Sequence, residues 1–166
     1  MRIPVAALAL CWTLAAPAAF AQQAPAPGRP QNLPIGARVK LASRTFDLEV
    51  ARTNQQRSIG LMFRTNLPAD RGMVFLFEPP QPTAFWMRNT LIPLDMVFAY
   101  QGRIVDIQQD VPPCKTPQCP VYGPNYSTLV DTVVEFNAGT ARKLGLKVGD
   151  RLPVEFLSAP ASQPGR

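Results

Sequence analysis

The sequence predicts a mainly β protein, a compact antiparallel β-sandwich or distorted barrel with two short helices. Nineteen prolines and ten glycines in 166 residues exclude a helical bundle, because a proline inside a helix costs about 3 kcal/mol and here it recurs along the whole chain. Apolar and polar residues alternate in Phe46-Asp47-Leu48-Glu49-Val50 and in Arg103-Ile104-Val105-Asp106-Ile107, the pattern of strands with one buried face. Helix start signals mark only two stretches, and a 46% hydrophobic share over this length supports one buried core.

The elements follow in order. Residues 1–21 read as a secretory signal peptide: Met1-Arg2 is a short positive start, an apolar run follows, and Ala19-Phe20-Ala21 supplies small residues for cleavage before Gln22. The apolar run is shorter than the ~20 residues a spanning helix needs, so no stable membrane span is expected after cleavage, and Cys11 leaves with the leader. Residues 22–36 are a proline-rich linker, 37–157 a single β-rich domain, and 158–166 a flexible tail. Within the domain, further strands are expected over 72–77, 83–88, 93–100, 127–136 and 151–156, with Gln101-Gly102 as a two-residue hairpin turn. Thr53 followed three residues later by Gln56 is a capping box for a first helix running to about Met62. A second helix is expected after Asn137 as its cap, ending at Gly145 with Arg142 and Lys143 at the end its dipole favours.

Composition removes several function classes. With no histidine, the chain cannot build a Ser-His-Asp triad, a Cys-His pair or a His-ligated zinc site. Residues 22–103 carry ten Lys or Arg against five Asp or Glu, and residues 104–166 carry six of each. No basic run interleaved with aromatics accompanies the surplus, so nucleic acid is not an expected partner. Cys114 and Cys119, in a loop with four prolines, are expected to form a disulfide in an oxidising compartment, periplasmic or secreted, contributing about 2 kcal/mol by closing a small ring. Met62, Met73, Met87 and Met96 each lie within two residues of a Phe, Leu or Trp. They are read as core fillers in preference to a soft Cu(I) site, and no metal or cofactor is expected.

The densest chemistry lies in Phe85-Trp86-Met87-Arg88-Asn89-Thr90-Leu91-Ile92-Pro93-Leu94-Asp95-Met96, where aromatic and polar groups alternate and Asp95 interrupts an apolar strand. A carboxyl in that setting either faces solvent or is held by buried donors such as Asn89, Thr90 or an arginine. Together with Gly60-Leu61-Met62-Phe63-Arg64, Asp70-Arg71-Gly72-Met73-Val74-Phe75, Cys119-Pro120-Val121-Tyr122 and Glu135-Phe136-Asn137-Ala138-Gly139, this segment forms an ordered series that resembles the Domain of Unknown Function 192 family over roughly residues 38–156. The resemblance implies a β-rich fold in an exported bacterial protein. It implies no reaction.

Three functional expectations follow. The first is a noncatalytic binding module in which Arg64, Phe85, Trp86, Arg88, Asn89 and Asp95 line a shallow pocket for a small polar or carbohydrate-like envelope ligand. The second is an envelope hydrolase with Asp95 as acid or base, paired with Asp70, Asp131 or Glu135. The third is an accessory protein that contacts another envelope protein through an edge strand or the basic N-terminal half.

Overall fold

The computed structural model describes residues 28–157; the expected signal peptide, the linker residues 22–27 and the tail 158–166 lie outside the described residues. β1 (Ile35–Leu41) turns directly into β2 (Arg44–Ala51), and α1 (Asn54–Ile59) follows. β3 (Arg71–Gln81), β4 (Phe85–Trp86), β5 (Leu94–Tyr100) and β6 (Arg103–Val111) come next. The chain closes with β7 (Val121–Tyr122), β8 (Val130–Asn137), α2 (Thr140–Leu144) and β9 (Val154–Phe156). Seven strands form one sheet in the order β6-β5-β8-β3-β2-β1-β9, and β4 pairs with β7 alone.

The mainly β class with two short helices is what the proline content and the alternation require. One pair departs from the antiparallel expectation: β2 and β3 run parallel, Leu48 opposite Gly72 and Val50 opposite Val74. A parallel pair needs a crossover, and the segment from Arg52 to Asp70, with α1 in it, is that crossover. The sheet curls without closing into a barrel. Its edges β6 and β9 approach at one corner, where Arg103 bridges Arg151 and the Leu152 N–H donates to Gly102 O at 2.9 Å.

Curling buries both faces of the sheet, and period-two alternation sorts the side chains between two cores. Val39, Phe46, Leu48, Val74, Val97, Val134 and Phe136 fill the inside of the curl, with Phe46 and Phe136 edge-to-face at 4.8 Å. Their strand neighbours Met73, Phe75, Met96, Phe98 and Val133 point the other way, onto a second core covered by Leu61, Leu67 and Met87 from the crossover and the β4 region. Met73, Met87 and Met96 are packed there at 0–1% exposure. Two-sided burial explains why β5 is apolar at successive positions where a half-buried strand would alternate.

Several local readings hold and others need correction. Thr53 caps α1 with the complete capping box, and Gln101-Gly102 links β5 to β6 as expected. The strand expected over 83–88 is reduced to Phe85–Trp86, and α1 ends at Ile59. β1 and β7 carried no signal that was read as a strand. Ordered structure also begins before Ala37: buried Gln31 donates to Gln56 O at 2.8 Å and Gly60 O at 3.0 Å, and the Leu33 N–H donates to Glu49 at 2.7 Å. The stretch 31–36 therefore belongs to the domain. Cys114 and Cys119 form the expected disulfide, their Cα atoms 5.6 Å apart.

Candidate functional site

A pocket of about 370 Å3 opens where α1 and the segment after it meet the outer face of the sheet and the β3–β4 connection. Its walls are Phe75 and Phe77 from β3, Phe85 and Trp86 from β4, and Leu61 and Met62 from the crossover. Phe85 is fixed edge-to-face against Phe75 at 4.9 Å and Phe98 at 5.8 Å, so this wall is part of the second core. Trp86 is half exposed at the rim. β7 holds the outer wall by pairing Tyr122 with Phe85 and Val121 with Trp86, and β7 begins just after the disulfide ring. Gly123 seals the junction, because a Cβ there would stand 2.8 Å from Thr83 O.

Two buried polar side chains on this lining have no hydrogen-bond partner among the described residues. Glu135, 4% exposed, receives no hydrogen bond from any described N–H or O–H group, and burial pushes its carboxyl up to about 8. Thr90, 6% exposed, takes part in no side-chain hydrogen bond among the described residues. Of the other buried polar side chains, Gln31 and Asp95 are hydrogen-bonded, whereas Thr140, which takes part in no side-chain hydrogen bond among the described residues, and the unpartnered Arg64 Nε lie away from the pocket lining. Arg57 completes the lining. It donates to Leu76 O at 2.7 Å, to Arg52 O and to Asn54, and its guanidinium lies 5.1 Å above the Phe77 ring.

Of the six residues expected to line a ligand pocket, Phe85 and Trp86 do so. Arg64 is turned elsewhere: it makes a bidentate ion pair with Glu49, both N···O distances 2.7 Å, and donates to Gln31 O, tying the N-terminal segment to the crossover. Arg88 lies over the outer face of Trp86 at 5.3 Å. Asn89, at φ 58°, forms a turn whose carbonyl accepts the Phe63 N–H at 2.8 Å.

Asp95 is fully buried and its carboxyl oxygens are occupied. Oδ1 accepts the N–H groups of Asp110 at 2.8 Å and Gly139 at 3.0 Å, and Oδ2 accepts that of Ala141 at 2.7 Å. The donors are backbone N–H groups, where the sequence pointed to Asn89, Thr90 or an arginine. Asp95 thereby caps α2, the task assigned to Asn137, whose side chain instead donates to Leu67 O at 2.8 Å. A hydrolytic pair of Asp95 with Glu135 fails on strand parity: Met96 stands opposite Glu135 and Asp95 opposite Phe136, so the two carboxyls leave opposite faces of the sheet. Asp131 accepts the Gln101 N–H at 2.7 Å, and Asp70 is exposed beyond the sheet.

Residues 37–154 match the family model DUF192, described as an uncharacterized ACR. The chain belongs to the DUF192 family. A solved structure of a candidate transcription regulator from Sinorhizobium meliloti 1021 is 35% identical, with a TM-score of 0.60 over 72% of this chain and 91% of that one. A protein of unknown function from Novosphingobium aromaticivorans is also 35% identical, with a TM-score of 0.61 over 78% of this chain and 94% of that one. No curated protein matches this DUF192 chain. Glu135, a buried lining residue of the pocket in this DUF192 member, entered the sequence reading as part of the Glu135–Gly139 motif and as a partner for Asp95. The legible signal was a carboxyl at the apolar parity of Val133 in an otherwise buried strand.

Proposed function

We propose that this DUF192 protein is an exported, noncatalytic binding module whose pocket takes one small polar or carbohydrate-like envelope ligand. The observation that carries the reading is the pairing of Glu135 and Thr90, two buried polar side chains without protein partners, on the lining of one aromatic-walled pocket. Both groups keep accessible surface on the lining, and a ligand that hydrogen-bonds to them while packing on Phe85 and Trp86 gains polar and aromatic contacts together. The Cys114–Cys119 disulfide supports an oxidising compartment. The reading includes no nucleic-acid partner, because no basic run interleaved with aromatics marks a nucleic-acid groove in the sequence.

The test is a thermal-shift screen of the chain from Gln22 onward against envelope saccharides, muropeptides and small acids. A saturable rise that Thr90→Val weakens is the expected result, since a ligand bound only to the folded state must stabilise it. The exposed cross-strand pair Trp86 and Val121 favours a second reading, contact with another envelope protein through the β4–β7 sheet. Absence of any shift, with a partner captured by the wild type and not by Trp86→Ala, would put that reading first.

A further inference from the structure

The ligand's chemical class follows from what the pocket's polar groups can exchange, an inference that rests on the binding reading above. Glu135 and Arg57 are the ionisable side chains among the pocket's lining residues. Every element facing Glu135 is otherwise uncharged there: β3 presents Met73 and Phe75, β5 presents Met96, the crossover presents Leu61 and Met62, and the β4 region presents Phe85 and Thr90. Arg57 has committed N–H groups to Arg52 O, Leu76 O and Asn54.

Burial holds the Glu135 carboxyl protonated past neutral pH, with a midpoint of about 8. A protonated carboxyl offers one O–H donor and one acceptor oxygen side by side in a plane. A cationic ligand would have to ionise Glu135 in apolar surroundings, and an anionic one would have to shed its water against aromatic walls with three of the five Arg57 N–H groups already taken. A neutral edge with a carbonyl next to an N–H satisfies both carboxyl oxygens at once, through two parallel hydrogen bonds. Half-buried Phe85 and exposed Trp86 on the lining offer aromatic surface to a ring attached to such an edge. We propose that the pocket selects small neutral ring compounds whose cis-amide edge pairs with the Glu135 carboxyl, with the Thr90 hydroxyl taking a second polar substituent.

The experiment is an NMR titration of the amide resonances of Gly60, Phe85 and Thr90 in the chain from Gln22 onward, using 2-pyridone, benzylamine, benzoate and methyl β-glucoside as probes. Each is run at about pH 6 and about pH 10 on the wild type, Glu135→Gln and Glu135→Leu. Saturable shifts with 2-pyridone are expected at the lower pH, its affinity falling about tenfold for each unit above a midpoint of about 8. Glu135→Gln, which keeps one donor and one acceptor, should retain binding within a few-fold and lose the pH dependence; Glu135→Leu should lose binding with its dispersed spectrum intact. Tighter binding of benzylamine, benzoate or the glucoside at the same residues overturns the cis-amide class and leaves the pocket reading standing. Unchanged 2-pyridone affinity in Glu135→Leu also overturns the class. Silence of these amides toward all four probes overturns both.

Discussion

Two carboxyls in adjacent central strands have opposite fates because their side chains leave opposite faces of the sheet. Asp95 collects three backbone N–H groups from two other elements, so its loss leaves buried donors without acceptors. Asp95→Asn should destabilise the fold by about 3 kcal/mol, read from the urea midpoint, with the pocket amides unmoved in the folded fraction. Glu135 shows the reverse linkage. Its folded midpoint is raised from 4.5 to about 8, so between those values the folded state holds a proton that the unfolded chain has released. Stability should therefore fall with rising pH across that window, by up to about 1 kcal/mol per unit, and level off above it. Urea unfolding of Glu135→Gln across the same range should show that slope removed. Asp95 was visible in the sequence as an anomaly, but its donors lie 15 to 46 residues away, and no spacing rule reaches that far.

Elements defined by local chemistry were legible and those defined by partners were not. Thr53 and Gln56 cap α1 from within four residues, and Gly145 ends α2 at φ 67°, where glycine is favoured. β7 is two residues long and exists because Phe85–Trp86 lies beside it, so nothing in Val121–Tyr122 alone announces a strand. Its neighbour is the disulfide ring, and the Cys114 N–H donates to Met87 O at 3.2 Å, so the ring anchors the pocket's outer wall from both sides of the loop. Replacing both cysteines by serine should release about 2 kcal/mol of loop restraint. Hydrogen exchange would then run at least about tenfold faster at Trp86 and Val121 while Val97 in β5 keeps its protection. Equal protection at all three sites would show that the pairing stands without the ring.

At the scale of the whole molecule, mainly β content could be read from proline content and alternation, whereas the parallel β2–β3 pair could not, because direction is set by the crossover's path. The N-terminal boundary was misplaced for a related reason: Gln31 and Leu33 are isolated in a proline-rich stretch, and their partners lie in α1, the turn after it and β2. A chain starting at Arg29 should match the longer one in urea midpoint, while one starting at Ala37 should lose about 2 kcal/mol. The sheet order has a further consequence for biogenesis. β8 is the eighth strand synthesised from the N-terminus yet lies between β3 and β5, so both of those strands expose open hydrogen-bonding edges and apolar side chains until residue 137 has emerged. For most of its synthesis the nascent chain is an unfinished template for strand addition, and the last third of the polypeptide closes it.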